Sequence, residues 1–280
     1  MWRDLRVYKK ELTRHLKASM SKDLQYLEVH LVDHCNLNCS GCGHYSPLAA
    51  PAYTDLGQYE TDIQRLGQLF RNIAMIRLMG GEPLLHPNPA SFLAVTRNYF
   101  PRADLRFVTN GVLLAKAPAA FWTACRDTKT AIDLTLYPPF KERAGEWQSI
   151  CDRERVICRV HEVQTFYKHM NLRGDSNRRR AFLNCRNQFY SPFLQNGRLY
   201  TCPKAALVHY FNKEFGVEIP ADSGVNIHSP NTSARKIVSY IDKPIETCQW
   251  CTYDLPHFPW SSGKDSVHSW YLLRSVPSHD

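Results

Sequence analysis

Three cysteines, Cys35, Cys39 and Cys42, fall within eight positions of DHCNLNCSGCGHYSP, residues 33 to 47. Thiolates are soft ligands suited to zinc or to iron–sulfur clusters. Three of them are one ligand short of a closed tetrahedral zinc site and an odd number for a disulfide framework. Around a four-iron cluster, however, three thiolates leave one iron open to an outside ligand. A zinc site completed by His34 or His44 is the competing reading of the loop. Four more cysteines, Cys185, Cys202, Cys248 and Cys251, come from distant segments, the last two as the Cys-x2-Cys of CQWC. Such a set can close either a zinc or a cluster site, and either would staple a region too small to hold itself together. Cys125, Cys151 and Cys158 lie in helical and strand patterns, where buried and inert thiols are expected.

The elements around these residues follow a rhythm. From Tyr26 an apolar strand, a polar or glycine-containing turn and an amphipathic helix repeat. YLEVHLV is the first strand, ending at the cysteine loop, and Ile63, Leu66, Phe70 and Ile73 stripe the next helix. MIRLM, LRFVT, AIDLTLY and VICRVHEV read as further strands, with helices over PASFLAVTRNYF, APAAFWTACR and FKERAGEWQSIC between them. Five β/α units in series imply a parallel sheet with right-handed crossovers. The fold class expected is therefore α/β, a partial (β/α)6-type barrel with five or six parallel strands and a small C-terminal cysteine-rich module. Four segments follow: a basic amphipathic helix over residues 1–25, the barrel over 26–180, the cysteine-rich module over 181–260 and a tail over 261–280. Within the module, Asn196-Gly197 marks a hairpin.

The chain's 35 Lys and Arg against 26 Asp and Glu give a formal charge of +9, which favours an acidic partner such as a phosphorylated metabolite, a nucleotide sugar or a nucleic acid. No apolar run approaches the roughly 20 residues that span a bilayer. The start MWRDLRVYKKEL lacks the apolar region of a signal peptide. A cytoplasmic protein with reduced thiols is expected, which points the ten cysteines toward metal or redox chemistry.

The Cys-x3-Cys-x2-Cys loop resembles that of the radical S-adenosylmethionine (SAM) superfamily. MGGEP at 79 to 83 is similar to that family's Gly-Gly-Glu-Pro motif, followed in order by VTNG at 108 to 111 and DLTLYP at 133 to 138. The resemblance covers residues 26 to 165. It implies that Cys35, Cys39 and Cys42 hold a 4Fe–4S cluster with an open site, and that SAM is bound with contributions from Gly80, Gly81, Glu82, Pro83, Thr109, Asn110, Asp133 and Thr135. The family places an aromatic residue before the third cysteine, whereas Gly41 stands here, so His44 or Tyr45 is expected to supply the adenine contact. Cys185, Cys202, Cys248 and Cys251 resemble the single-cluster twitch module, a shortened SPASM domain laid out as in 2-deoxy-scyllo-inosamine dehydrogenases. That likeness implies a second 4Fe–4S cluster, with zinc as the alternative.

What the resemblance implies chemically is a 5′-deoxyadenosyl radical that abstracts hydrogen from a small polar substrate. Oxidation or epimerisation of a carbohydrate, aminocyclitol or nucleotide sugar is the expected reaction, with an electron donor such as flavodoxin or ferredoxin. The alternatives are a peptide-modifying maturase and, from another class, a non-catalytic metal-binding module for nucleic acid. A departing hydroxyl proton needs an acceptor. Candidates lie between the last barrel strand and Cys185: His161, Glu162, Tyr167, Lys168, His169 and Arg173, of which Glu162, Lys168 and Arg173 are taken as the catalytic set. Arg173 and Arg178 to Arg180 are candidates for a substrate phosphate. Trp260, Trp270 and Tyr271 of the tail are expected in a short helix, either as core or as a lid.

Overall fold

The structure, a computed structural model, describes residues 23–189, 191–252, 256–263 and 267–271. The expected N-terminal helix falls outside these residues up to position 22, and so does the tail beyond Tyr271.

Strand alternation builds the molecule. Strand β1, Asp23–Val32, turns Leu27, Val29 and Leu31 to one face and Tyr26, Glu28 and His30 to the other. β2 (Asn72–Gly80), β3 (Asp104–Thr109), β4 (Ala131–Leu136) and β5 (Cys158–Glu162) follow in parallel, each beside its predecessor. Between them run helices α1 (Leu56–Leu69), α2 (Pro89–Tyr99), α3 (Ala119–Asp127) and α4 (Ala144–Arg153). Asp55 caps α1 by accepting the amide of Gln58 at 2.8 Å. Helix residues Ile63, Leu66, Phe92, Phe121 and Trp147 share one apolar cluster with sheet residues that include Leu27, Val29, Leu78, Phe107 and Leu134. Ile73, read as part of the first helix stripe, instead lies in β2, because Phe70 already caps the helix.

The opposite sheet face, the inside of the partial barrel, is charged. Tyr26 donates its hydroxyl proton to Glu28 Oε1 at 2.6 Å, and Arg77 and Arg106 each reach Asp133 Oδ2 at 3.3 Å. Asp133, expected as a cofactor contact, is 1 % exposed and serves through Oδ2 as counter-ion to two guanidiniums, while its Oδ1 is buried without a hydrogen-bond partner. Burying a carboxylate requires such partners. Thr135 is half-buried on the same face.

After β5 the chain forms β6 (Thr165–Tyr167), α5 (Arg178–Gln188), β7 (Phe193–Gln195), β8 (Arg198–Tyr200), α6 (Pro203–Phe215), β9 (Val225–Asn226), α7 (Ala234–Ile241) and β10 (His257–Pro259). The Asn196-Gly197 hairpin forms as expected, with φ of 47° and 71° at the two turn residues. Its position is different from the expectation of a module beginning at 181. β7 lies parallel to β1, so the sheet order is β5-β4-β3-β2-β1-β7-β8-β9 and the hairpin extends the barrel by a sixth parallel strand. The physical reason is the free edge of β1, whose backbone groups need partners. β10 pairs antiparallel with β6 as a separate two-stranded sheet.

Asp62 locks the hairpin to α1. Its carboxylate accepts from the Gly197 amide at 2.8 Å and from Gln58 Nε2 at 2.8 Å, and lies 2.7 Å from His228 Nε2. Asp62→Ala leaves a buried amide unpartnered, and a loss of about 2 kcal/mol is expected in urea unfolding. Asp62→Asn, which retains one carbonyl acceptor, should lose less.

Candidate metal centre

The three-cysteine loop leaves the carboxyl end of β1. Leu37 donates its amide to Cys35 Sγ at 3.4 Å, Cys42 N bonds Cys39 O at 3.2 Å, and Tyr45 N bonds Cys42 O at 3.0 Å. Burial pushes the Cys35 thiol up to about 12, and the neighbouring Glu82, Cys42 and Cys39 add to the rise. The three sulfurs thus share one electrostatic neighbourhood. Ligation must displace their protons, so a bound metal charge is what would make them thiolates.

Segments from the far end of the chain hold this loop. Ser40 N bonds Ser261 O at 2.9 Å, Gly263 N bonds Asn38 O at 3.1 Å, and Trp270 Nε1 donates to Cys42 O at 2.8 Å. A side chain at Gly41 would place its Cβ 2.6 Å from Ser269 O and 2.8 Å from Phe258. The missing aromatic is explained locally, since Phe258 and the tail backbone occupy that space. Tyr45 is not available for adenine: it is fully buried, donates to Met170 Sδ at 3.3 Å and packs on Phe211 and Trp270. His44 Nδ1 lies 2.6 Å from His30 Nε2, and His30 Nδ1 lies 2.8 Å from Asp33 Oδ1.

The glycine motif ends β2 directly against the loop. A Cβ on Gly80 would lie 2.0 Å from Val32 O and one on Gly81 1.9 Å from His34 O, so these glycines admit the chain's own backbone. Glu82 is fully buried and takes Thr109 Oγ1 at 2.7 Å, Asn110 N at 2.8 Å and Leu84 N at 3.1 Å. Asn110 Nδ2 in turn donates to Asn36 Oδ1 at 2.7 Å and approaches Cys35 Sγ at 3.7 Å. Glu82, Thr109, Asn110 and Cys35 therefore form one connected group, with buried Pro83 opening a short turn beside it.

Burial raises the Glu82 carboxyl to about 7 despite its three donors. The folded state then holds a proton that the unfolded chain releases near 4.5, so stability falls as pH rises from 4.5 through 7. The full difference is about 3 kcal/mol. Unfolding of ligand-free protein across that range should show the decline, and Glu82→Gln should lack it.

Cys185, Cys202, Cys248 and Cys251 come together at one cavity of about 310 Å³. Burial raises Cys248 and Cys251 to about 12, and Cys185 acts electrostatically on both. Tyr45 feels cysteines of both sets. Burial first, then Cys251, Cys202 and Cys42 raise its hydroxyl far above the usual phenol range. Gly41, Gly43 and His44 of the first loop also line the cavity, together with His169, Thr201 and Lys204. Among the described residues no three His, Cys, Asp or Glu side chains close on a single ion.

The expected catalytic set is not brought here. Glu162 is exposed and faces Lys141 at 4.0 Å, Arg173 is exposed and pairs with Asp175 at 3.1 Å, and Lys168 is absent from the cavity lining. Of the segment after β5, Val163, Thr165, Phe166, Tyr167 and His169 line the cavity. Arg178 to Arg180 are exposed on the first turn of α5. Sequence reasoning missed Tyr137, whose half-buried ring stacks on Trp260 at 5.5 Å and feels Cys39, Cys42 and Cys35. Its place one residue past β4 was the available signal.

No family model matches the chain. It is 31 % identical over 103 residues to a GTP 3′,8-cyclase of Campylobacter fetus subsp. fetus, covering 36 % of this chain and 32 % of that protein. Over 139 residues it is 30 % identical to a GTP 3′,8-cyclase of Geobacter sulfurreducens, covering 48 % of this chain and 42 % of that one. The chain thus spans less than half the length of these curated relatives. Among solved structures, BtrN in complex with AdoMet and 2-DOIA is similar over 81 % of this chain and 92 % of that one, at 16 % identity and a TM-score of 0.49. Among the described residues no helix is long and apolar enough to cross a membrane.

Proposed function

We infer that this chain is a radical SAM enzyme, and we propose that it oxidises or epimerises a carbohydrate, aminocyclitol or nucleotide sugar. The observation that carries the proposal is that Tyr45 feels cysteines of both sets, while the cavity lined by Cys185, Cys202, Cys248 and Cys251 is also lined by Gly41, Gly43 and His44 of the first loop. The donor sets fit the groups they would hold. Cys35, Cys39 and Cys42 supply three soft ligands and leave a fourth place for SAM, whereas Cys185, Cys202, Cys248 and Cys251 supply four.

When bound, the first cluster and SAM supply a hydrogen-abstracting 5′-deoxyadenosyl radical. The chain's own residues do positioning work. Glu82, Thr109 and Asn110 tie the ends of β2 and β3 to the cysteine loop, and the Tyr137 and Trp260 rings wall the loop's side. The charged inside of the barrel, with Arg77 and Arg106, offers polar contacts suited to an oxygen-rich substrate.

Anaerobic reconstitution followed by dithionite and SAM tests the reading. About eight irons per chain and formation of 5′-deoxyadenosine are expected. About four irons would point to zinc at the second site and weaken the dehydrogenase reading. No iron and no deoxyadenosine would favour a non-catalytic metal-binding module. The likeness to GTP 3′,8-cyclases supports a second reading, a purine nucleotide as substrate. GTP consumption coupled to deoxyadenosine formation would select it.

A further inference from the structure

The basic run RGDSNRRR, residues 173 to 180, has no part in the chemistry described so far, yet the fold fastens it to the second cysteine set. Asn171 N donates to Trp250 O at 2.7 Å and Ser176 N to Gln249 O at 3.2 Å, so backbone just before and within the run is bonded to the two residues between Cys248 and Cys251. The approach is close enough that a Cβ on Gly174 would lie 2.8 Å from the Trp250 ring. The run then enters α5, where Asn177 caps the helix by accepting the Arg180 amide at 2.9 Å. Cys185 follows on the same helix, about 7 to 11 Å along the axis from Arg178, Arg179 and Arg180.

These arginines differ from an ordinary solvated face. All three are exposed, and they fill the first turn of α5, which holds no acidic residue. Cations at a helix N-terminus oppose the macrodipole, so the placement works against the helix. Local rules are broken in this way where function requires it. Arg173 is paired with Asp175 at 3.1 Å, so the positive excess of the run rests on the three helix arginines. None of the three lines the cavity, which takes Ala181, Phe182 and Cys185 from this part of the chain, so what they recognise lies on the outer surface. Arginine is favoured at protein interfaces, and a cluster of one sign steers a partner of the other into place.

We propose that the first turn of α5 is the docking face for an acidic one-electron carrier protein, which exchanges electrons with a cluster on Cys185, Cys202, Cys248 and Cys251; the inference rests on the radical reading above. The carrier's charge follows from the three arginines, and its class from what they are fastened to. A protein seated there lies over the helix that bears Cys185 and beside the loop bonded between Cys248 and Cys251. The step is the transfer of one electron: the donor is oxidised as the acceptor is reduced, and no bond is made or broken. Under the dehydrogenase reading the electron runs outward, to the oxidised flavin or iron–sulfur centre of the carrier, since each substrate oxidation leaves one electron to be removed.

Calorimetric titration of the reconstituted protein with an acidic flavodoxin and with an acidic 2Fe–2S ferredoxin tests the face without knowledge of the substrate. One variant carries Arg178→Gln, Arg179→Gln and Arg180→Gln, and a control carries Arg102→Gln, Lys116→Gln and Lys129→Gln, at exposed positions between α2 and β4. Each set lowers the formal charge of +9 by three, so net charge is matched. Glutamine is a good helix former and relieves the charge at the N-terminus, so α5 should hold, with iron content as the check. At low salt the α5 variant should bind at least one carrier about 10-fold more weakly than wild type, while the control binds as wild type does. Wild-type affinity should itself fall at about 150 mM NaCl. Stopped-flow reoxidation of the dithionite-reduced protein by that carrier should slow in the α5 variant alone. Equal affinities in the two variants overturn the proposal, and so does a wild type that binds neither carrier. An RNA oligonucleotide bound by wild type and released by the α5 variant, with no carrier bound, would assign the face to nucleic acid and overturn it as well. Failure of the wild type to cleave SAM sinks the radical reading instead, while the titration still decides whether an acidic carrier docks.

Discussion

Replacing Cys35, Cys39 and Cys42 together by alanine is expected to abolish 5′-deoxyadenosine formation and to lower bound iron from about eight to about four per chain. The loss should be complete because no other thiol of the first loop can take over: the remaining cysteines lie in the second set or in the barrel wall. The second set should keep its iron, because its ligands hang on other elements, α5, the start of α6 and the segment after α7. Iron and deoxyadenosine assays on parallel samples read both arms. Unchanged iron would remove the loop as a cluster site. Loss of all iron would mean that the first site must be filled for the second to form.

Trp270→Ala is expected to destabilise the protein by about 3–5 kcal/mol in urea unfolding. The indole is fully buried among Tyr45, Phe211 and Phe215, so truncation leaves a cavity in the second apolar core. It also removes the N–H that holds Cys42 O at 2.8 Å, so iron should pass to a chelator faster. Trp270→Phe keeps most of the packing but loses the hydrogen bond, and about 1 kcal/mol is expected. The comparison separates packing from loop anchoring: faster iron loss in both variants assigns the effect to the hydrogen bond. Among the described residues the tail is a brace rather than a lid, since Ser261, Gly263 and Trp270 bond the backbone of the cysteine loop itself. Equal iron retention after deletion of residues 261–280 would sink that assignment.

The barrel was legible from residue 26 to about 163 because each of its strands satisfies two local rules at once. Alternation in YLEVHLV puts Leu27, Val29 and Leu31 on the helix side, and the turn after each strand carries the polar or glycine residues that end it. Beyond that point local pattern was poorer. Helix α6 carries its own signals, Pro203 at its first position and Gly216 past its end at φ 63°, within a stretch whose composition masks them. Helix α5, beginning in three arginines, has little apolar periodicity and is made by its packing.

By itself, then, the amino-acid sequence determined the chemistry on offer: soft ligands at Cys-x3-Cys-x2-Cys after a strand, four more thiols downstream, and a glycine pair where backbone must meet backbone. Spacing along the chain carries that information, because ligands on one loop are neighbours whatever the rest of the chain does. Only the tertiary structure decided that β7 completes the barrel at the β1 edge, that Asp133 pairs with both Arg77 and Arg106, and that His169 rather than Glu162, Lys168 or Arg173 reaches the cavity. Each of these depends on contacts between segments far apart in sequence, and a side chain's availability is set by the partner that arrives from elsewhere.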